Sequence, residues 1–487
     1  MTPATGAHPT RPRPAGSLPP GSLPPGSLPP GSLPPGNPST AAQPERIVSI
    51  FTAVAIIVGI VIGAGIFKTP SMVAGVTGDP GWMFAAWIAG AVISVAGALC
   101  YAELSSRHAH AGGDYHFLEL AYGRHLAFLY AWAKAAVINT GSIALLAFVF
   151  GDYMSKVISL GPHSAAIWAL AVVVVLTVVN LIGIQASGKV QTTLTIVEVL
   201  GLLAVVVAGF SVQAPAEATP AWFSSTPPMG LIGLSLVFVL LTFGGWNESA
   251  FISAEVRGGP GKIVFVILVS LAIITVVYLL VNAALLHGLG LKGLGDSKAA
   301  AADLMAVAFG PAGQQAIGLF VALAALTSIN ATMIVGARSN FALAASWKPL
   351  GFMASWRQES GTPVVAMLVQ SVVALALVVF GMFQHDGFEA MVEFTAPVFW
   401  SFLFLVGLAL FRLRGRGAPE GFRVPLYPFT PLLFCAASAY LAYSSINYAA
   451  SKNAVHISFA VMAVGLMVML LLNLGERKLT QSRSTAS

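Results

Sequence analysis

The sequence predicts an all-α membrane protein with twelve transmembrane helices. Two observations carry that reading. Of 487 residues, 57% are hydrophobic and only 9% are charged, whereas a soluble protein carries about 25% charged residues. So few charges cannot cover a water-facing surface. The apolar residues also gather into stretches close to the roughly 20 residues that cross the hydrocarbon. Twelve such stretches lie near 47–68, 81–104, 126–150, 165–184, 191–211, 230–253, 262–286, 314–336, 363–383, 393–411, 429–448 and 454–474. A soluble chain of this length would divide into about three domains. A membrane bundle of this size forms one unit.

Before the first span, residues 16–35 repeat GSLPP four times. Pro and Gly oppose a helix, and one Leu per repeat cannot bury a core. Residues 1–44 therefore read as a disordered, Pro/Gly-rich cytoplasmic tail, without the 7–15-residue apolar core of a secretory signal. Residues 45–475 read as the transmembrane domain, and 476–487 as a cytoplasmic C-terminal tail.

The spans also set the orientation. The net charge of +6 comes from basic residues scattered singly through short loops, which fits membrane topology better than nucleic-acid binding. With the N-terminus cytoplasmic, Lys68, Lys156, Lys292, Lys298 and Lys452 fall outside, and Lys134 falls within span 3. The other eighteen of the 24 Lys and Arg fall inside. That asymmetry predicts a multi-pass protein of the plasma membrane with both termini cytoplasmic. Cys100 and Cys435, each inside an apolar stretch, read as packing residues, so no disulfide framework or Cys-based metal site is implied.

Span 1 contains VGIVIGAGIFKTP, residues 58–70. Close helix packing through a GxxxG explains Gly59 and Gly63. It does not explain Gly65, Lys68 and Pro70. Gly costs about 1 kcal/mol against Ala inside a helix, so several together make unwinding at 63–65 cheap. Backbone groups unpaired in lipid are tolerable only beside a cavity or a polar ligand. The exposed N–H groups sit at the positive end of a half-helix and attract anions such as a carboxylate. Span 6 contains LTFGGWNESAF, residues 241–251, where Gly244 and Gly245 interrupt the helix and Asn247 and Glu248 are too polar for lipid. Interrupted helices at corresponding places in two halves point to the central site of a transporter.

GAGIF in span 1 and FGGWNE in span 6 resemble the amino acid–polyamine–organocation superfamily, and its L-type amino acid transporter branch in particular. AGGDYHFLELAYG (111–123), TGSIALLAFVFGDY (140–153), TAPVFW (395–400) and RVPLYP (423–428) agree in order, and the resemblance covers roughly residues 45–475. It implies a LeuT-like fold of two five-helix inverted repeats, spans 1–5 and 6–10, plus two peripheral helices, with discontinuous helices 1 and 6. It implies an amino acid as substrate. The amides around Gly63, Ala64, Gly65 and Ile66 would hold the α-carboxylate. The carbonyls of Thr242, Phe243 and Gly244 would accept from the α-ammonium, and Trp246 or Phe243 would help form a hydrophobic lid. Many relatives carry a Lys in span 5, but in TTLTIVEVLGLL (192–203) that position aligns with Glu198. A carboxyl cannot act as a built-in cation. It can recruit one or carry a proton. Heavy-chain partners of animal relatives are not demanded by anything in this chain.

Other polar residues have weaker claims. A charged carboxylate at the bilayer centre costs roughly 2.5–3.5 kcal/mol on insertion scales, and intramembrane acids mark proton relays, so Glu198 is expected to titrate during transport. Glu248 beside the second break is a candidate for orienting the loop or binding an amine. Thr327 and Ser328, in LTSINATMIVGAR (326–338), correspond to span-8 hydroxyls that bind the ion in sodium-coupled relatives. Lys68 reads as a solvated helix end, and Lys134 as a snorkelling side chain. Glu103 and Glu255 are candidates for a cytoplasmic gate with Arg107, Arg257 or Arg338.

Rival classes lack their chemistry. GGPGKI (258–263) has no Ser or Thr after its GK and no first Gly at phosphate-loop spacing. GLGD (293–296) lies in a polar outer loop with no obvious second catalytic aspartate in a helix, and no HExxH is present. Two broken helices around one site suggest alternating access rather than an open channel. The sequence therefore predicts a non-enzymatic secondary transporter for an amino acid, working by proton-coupled symport or by exchange. A small amine or polyamine is the alternative substrate. No cofactor, metal, nucleic acid or obligate protein partner is expected, and the lipid bilayer and a coupling proton are the other partners.

Overall fold

The computed structural model describes residues 50–108, 110, 112–183, 188–215, 221–225, 227, 229–247, 260–357, 362–416, 421–452 and 455–484. The GSLPP tail, Glu248, Glu255 and Arg257 lie outside the described residues.

Span 1 is broken where its glycines fall. Helix α1 (Ile50–Val61) stops, a 3-10 turn covers Ala64–Phe67, and α2 (Thr69–Thr77) resumes. Pro70 sits in the first turn of α2, where its missing N–H is no loss. Next come α3 (Pro80–Arg107), the short α4 (Asp114–Tyr122) and α5 (Arg124–Ala133). A π-helical turn at Lys134–Ile138 joins α5 to α6 (Asn139–Val157), with half-buried Lys134 at its start. Then follow α7 (Ser164–Ile182), α8 (Gly188–Ser211), α9 (Met229–Thr242), α10 (Pro260–Asp296), α11 (Ala300–Ser346), α12 (Val364–Met382), α13 (Gly387–Leu413), α14 (Phe429–Ser451) and α15 (Val455–Ser484).

Nine helical runs among the described residues are long and apolar enough to cross a membrane by length and composition. Ile196–Ser211 and Met229–Thr242 are shorter apolar helices. On α7, Val173 is fully buried and Leu176 nearly so, while Val174, Val175 and Val178 are about half exposed. An apolar residue on the outward face belongs against lipid.

The sequence reading leaves the stretch between spans 7 and 8 as a loop, but most of it is helical. Helix α10 continues to Asp296 through a bend at Gly290, and α11 starts at Ala300 and bends at Gly310 before Pro311. Ala299–Ala302 and the nearby leucines are strong helix formers. The two glycines take positive φ, 69° and 66°, and redirect the chain without ending its helical character.

Small residues allow close helix approach, as expected in membranes. A Cβ on Gly151 of α6 would fall 2.0 Å from the Ala165 carbonyl oxygen of α7. That neighbour is backbone and cannot rotate away. Gly151→Ala is therefore expected to destabilise the protein by about 1–3 kcal/mol, seen as a lower unfolding temperature in detergent. Gly230→Ala, with nothing within 4 Å, is the control.

At the start of α3, Asp79 ties two distant segments. Its carboxylate accepts from Gly81 N (2.7 Å) and Trp82 N (3.2 Å), capping the helix, and from Phe223 N, Ser224 N and Ser225 N of the 221–225 segment. Burial alone would push its carboxyl up, but the donors from Phe223, Trp82, Ser225 and Gly81 hold it below its ordinary value. A depressed folded value means that the tie stabilises above the unfolded pKa, about 3.9, and is lost as pH falls through the folded value. Asp79→Ala should cost about 2 kcal/mol at pH 7. The gap from wild type should shrink as the pH is taken below about 4, which thermal unfolding across pH would show.

Candidate functional site

The two interrupted helices meet. Past Val61 the chain is extended at Gly63 (φ −140°, ψ −169°) and then winds into its 3-10 turn. The amides that open that turn, from Gly63 to Gly65, lack acceptors within a preceding helix. In span 6, α9 ends at Thr242, three turn residues follow, and helix resumes at Trp246. Gly244 N donates to Leu241 O at 3.1 Å, a tighter closure than an α-turn. Gly245 has φ 99°, a region open to glycine.

Side chains lock the breaks together. The Tyr278 hydroxyl of α10 lies 3.0 Å from the Val61 carbonyl oxygen and 3.2 Å from that of Thr242. One donor thus spans the last carbonyls of both half-helices. Thr242 Oγ1 lies 2.5 Å from Thr69 Oγ1, at the head of α2. A Cβ placed on Gly65 would contact Thr242 at 3.5–3.6 Å. The 3-10 turn therefore lies directly against the end of α9, with room for a methyl group and no more.

Span 8 closes the other flank. Ser328 Oγ lies 3.4 Å from the position a Gly63 Cβ would take. Thr327 Oγ1 lies 3.1 Å from Glu198 Oε1 and 2.8 Å from the Ala324 carbonyl oxygen. Glu198, Thr327, Ser328 and Gly63 thus form one neighbourhood across α8, α11 and the first break.

Phe243 and Trp246 face elsewhere. Phe243 is fully buried against Trp87 of α3 and Tyr278. Trp246 lies over Gly97, edge-on to Tyr101 and Phe434. In this conformation both rings fasten span 6 to α3 and, for Trp246, to α14.

Lys68 is not a solvated helix end, and here the sequence reading is corrected. Its side chain is fully buried, with Nζ 2.8 Å from Asp152 Oδ2, 3.3 Å from Asp386 Oδ2 and 3.3 Å from the Lys298 carbonyl oxygen. A lysine buried this deeply must be paired. Asp152, Asp386 and Tyr278 carry no role in the sequence reading. An aspartate inside the apolar run FVFGDYM was the available signal.

The gate pairing expected of Glu103 is also different. Glu103 is 1% exposed, and its partners are the Val424 amide (2.7 Å) and Arg414 (3.5 Å). The Phe422 amide donates to Ser106 Oγ at 3.0 Å. Arg107 donates to the Arg416 carbonyl oxygen at 3.5 Å. RVPLYP thus belongs to a strap that follows α13 and is tied to the end of α3. Asp386 and Arg414 flank opposite ends of α13, so the Lys68 and Glu103 clusters mark opposite ends of the bundle.

Comparisons with known proteins point to a single family. A family described as amino acid permease matches residues 48–472. The serine/threonine exchanger SteT of Bacillus subtilis (strain 168) is 27% identical over 408 residues, covering 82% of this chain and 91% of that protein. The b(0,+)-type amino acid transporter 1 of Mus musculus is 25% identical over 417 residues, covering 84% of each. The cystine/glutamate transporter of Homo sapiens is 26% identical over 412 residues, covering 82% of this chain and 81% of that protein.

Proposed function

The chain belongs to the amino acid permease family, within the amino acid–polyamine–organocation superfamily, and from that premise we propose that it is a secondary active transporter moving amino acids by alternating access. The observation that carries this reading is the meeting of the two broken helices at the Tyr278 hydroxyl. A zwitterion has an anionic and a cationic end. The opened turn at Gly63, Ala64, Gly65 and Ile66 offers amides to the carboxylate. Across from it, the carbonyls of Thr242, Phe243 and Gly244 offer acceptors to the ammonium. Thr242 O has a second lone pair beyond the one that faces Tyr278. Phe243 and Trp246 would act as a lid only by leaving their present packing. The twelve-span arrangement of two inverted five-helix repeats, with the Lys68 end outward and both termini cytoplasmic, is part of the same proposal.

Exchange of one amino acid for another is the first coupling mode, supported by the exchanger among the relatives. Proton coupling is favoured by one observation of its own. Thr327 has one hydroxyl proton and two neighbours, the Ala324 carbonyl at 2.8 Å and Glu198 at 3.1 Å. With Thr327 donating to Glu198 the contact suits an ionised carboxylate, and with Thr327 donating to the carbonyl it suits a carboxyl that holds a proton, so the pair accommodates both states that a proton carrier must visit. The same set of oxygens in Glu198, Thr327 and Ser328 would otherwise suit a monovalent cation.

The test is a thermal-shift screen of the purified protein against amino acids and amines. Counterflow of each hit into proteoliposomes follows. Stabilisation and counterflow by α-amino acids are expected. Response to polyamines alone would move the substrate to the amine class. Ionic conductance far above carrier turnover would overturn alternating access.

A further inference from the structure

We propose that Lys68, Asp152 and Asp386 are the latch that closes the Lys68 end of the transport path, and that this latch must part before solute reaches the helix breaks from that side. The proposal rests on the transporter reading above. It concerns residues to which that reading gives no role.

Lys68 lies three residues past Gly65 and caps α2. Its ammonium has three N–H donors, and three acceptors surround it, from α6 (Asp152), from the residue that caps α13 (Asp386) and from the α10–α11 link (Lys298 O). Asp386 is itself fixed, because its other carboxylate oxygen accepts from Glu389 N at 3.0 Å. The Phe388 ring centroid is 5.7 Å from Nζ. One residue nearer the break, the Tyr153 hydroxyl donates to Phe67 O at 2.7 Å and accepts from Ala301 N at 3.4 Å. The Phe67 ring meets Tyr153 and Phe320 edge-on. The ions and the plug behind them therefore pin the half-helix α2 to three other parts of the chain. Any swing of α2 about Gly63–Gly65 must pull Lys68 from those partners.

Charge suits a contact that must open and close. A buried ion pair gains little over apolar packing of the same shape. Once parted, however, its groups are well hydrated, whereas an opened apolar seal would leave apolar surface in water. The two states therefore differ modestly in free energy, as a switching contact requires.

The test needs no solute. A reporter cysteine replaces Ala301, which is 1% exposed behind the latch, in full-length protein reconstituted in liposomes. A membrane-impermeant thiol reagent is added from the Lys68 side. The expected result is slow labelling in the reporter background and labelling about tenfold faster or more in Lys68→Gln and in Asp386→Asn. The charge-swapped pair Lys68→Asp with Asp386→Lys should return toward the slow rate. Labelling within about twofold of background in the neutral variants would overturn the latch. If Lys68→Gln does not yield monodisperse protein, Asp386→Asn decides alone, since it removes one of two carboxylates and keeps the buried lysine paired. Failure here leaves the transport reading standing. Opening of the latch without counterflow of either amino acids or amines would sink that reading and leave the latch as a gate over the helix breaks.

Discussion

Gly65→Leu is expected to abolish amino acid uptake while leaving a folded, membrane-inserted protein. Gly65 sits where the first break touches the end of α9. A single Cβ there would make ordinary contacts with Thr242, at 3.5 Å to Oγ1 and 3.6 Å to Cα and Cγ2. Gly65→Ala therefore fits and should keep uptake within about threefold of wild type. Leucine adds three more carbons, and those that reach past Cβ must enter the backbone of Thr242 or the space between the breaks. Displacing such a site by about 1 Å costs on the order of 100-fold in rate. The three atoms nearest a Cβ at this position all belong to Thr242, so the expected signature is lost uptake with an unchanged size-exclusion profile. Equal loss in Gly65→Ala and Gly65→Leu would point instead to a general defect in folding.

Glu198→Gln is the second large effect. The amide has the shape of the acid and can still contact Thr327, but it cannot carry a transported proton. If Glu198 couples transport, uptake driven by a proton gradient should fall about tenfold or more. Its rate should also become flat between about pH 5 and 8. Counterflow without a gradient should survive, because it needs only solute exchange. Glu198→Gln retaining both the wild-type rate and its pH dependence in proteoliposomes would remove Glu198 from the coupling mechanism.

The helix breaks were legible in the sequence because their causes are local. Gly63, Gly65 and Pro70 lie within eight residues, and Gly244 and Gly245 are adjacent. Backbone propensity acts over that range. The grouping of Glu198, Thr327 and Ser328 was legible through the resemblance rather than through pattern. The partners of charged side chains were not legible. Lys68 meets aspartates 84 and 318 residues away, and no periodicity relates such positions. Its solvated reading followed from its place at a helix end. The fold buries that end beneath α6, the cap of α13 and the α10–α11 link. Glu103 went to Arg414 for a similar reason. Several arginines shared one side of the membrane, and the strap after α13 decided which would arrive. The helical stretch between spans 7 and 8 was missed because its polar residues read as an outer loop, whereas its two positive-φ glycines only bend the helices.

The central claim is that the two breaks hold the two charged ends of one small solute. The most direct measurement compares the affinity of a transported amino acid with that of its carboxamide and its N-acetyl derivative, by calorimetry on the purified protein. The account predicts that each capped form binds about 100-fold more weakly or worse, and that Gly65→Leu abolishes binding of all three. A capped derivative binding as tightly as the free amino acid would contradict it.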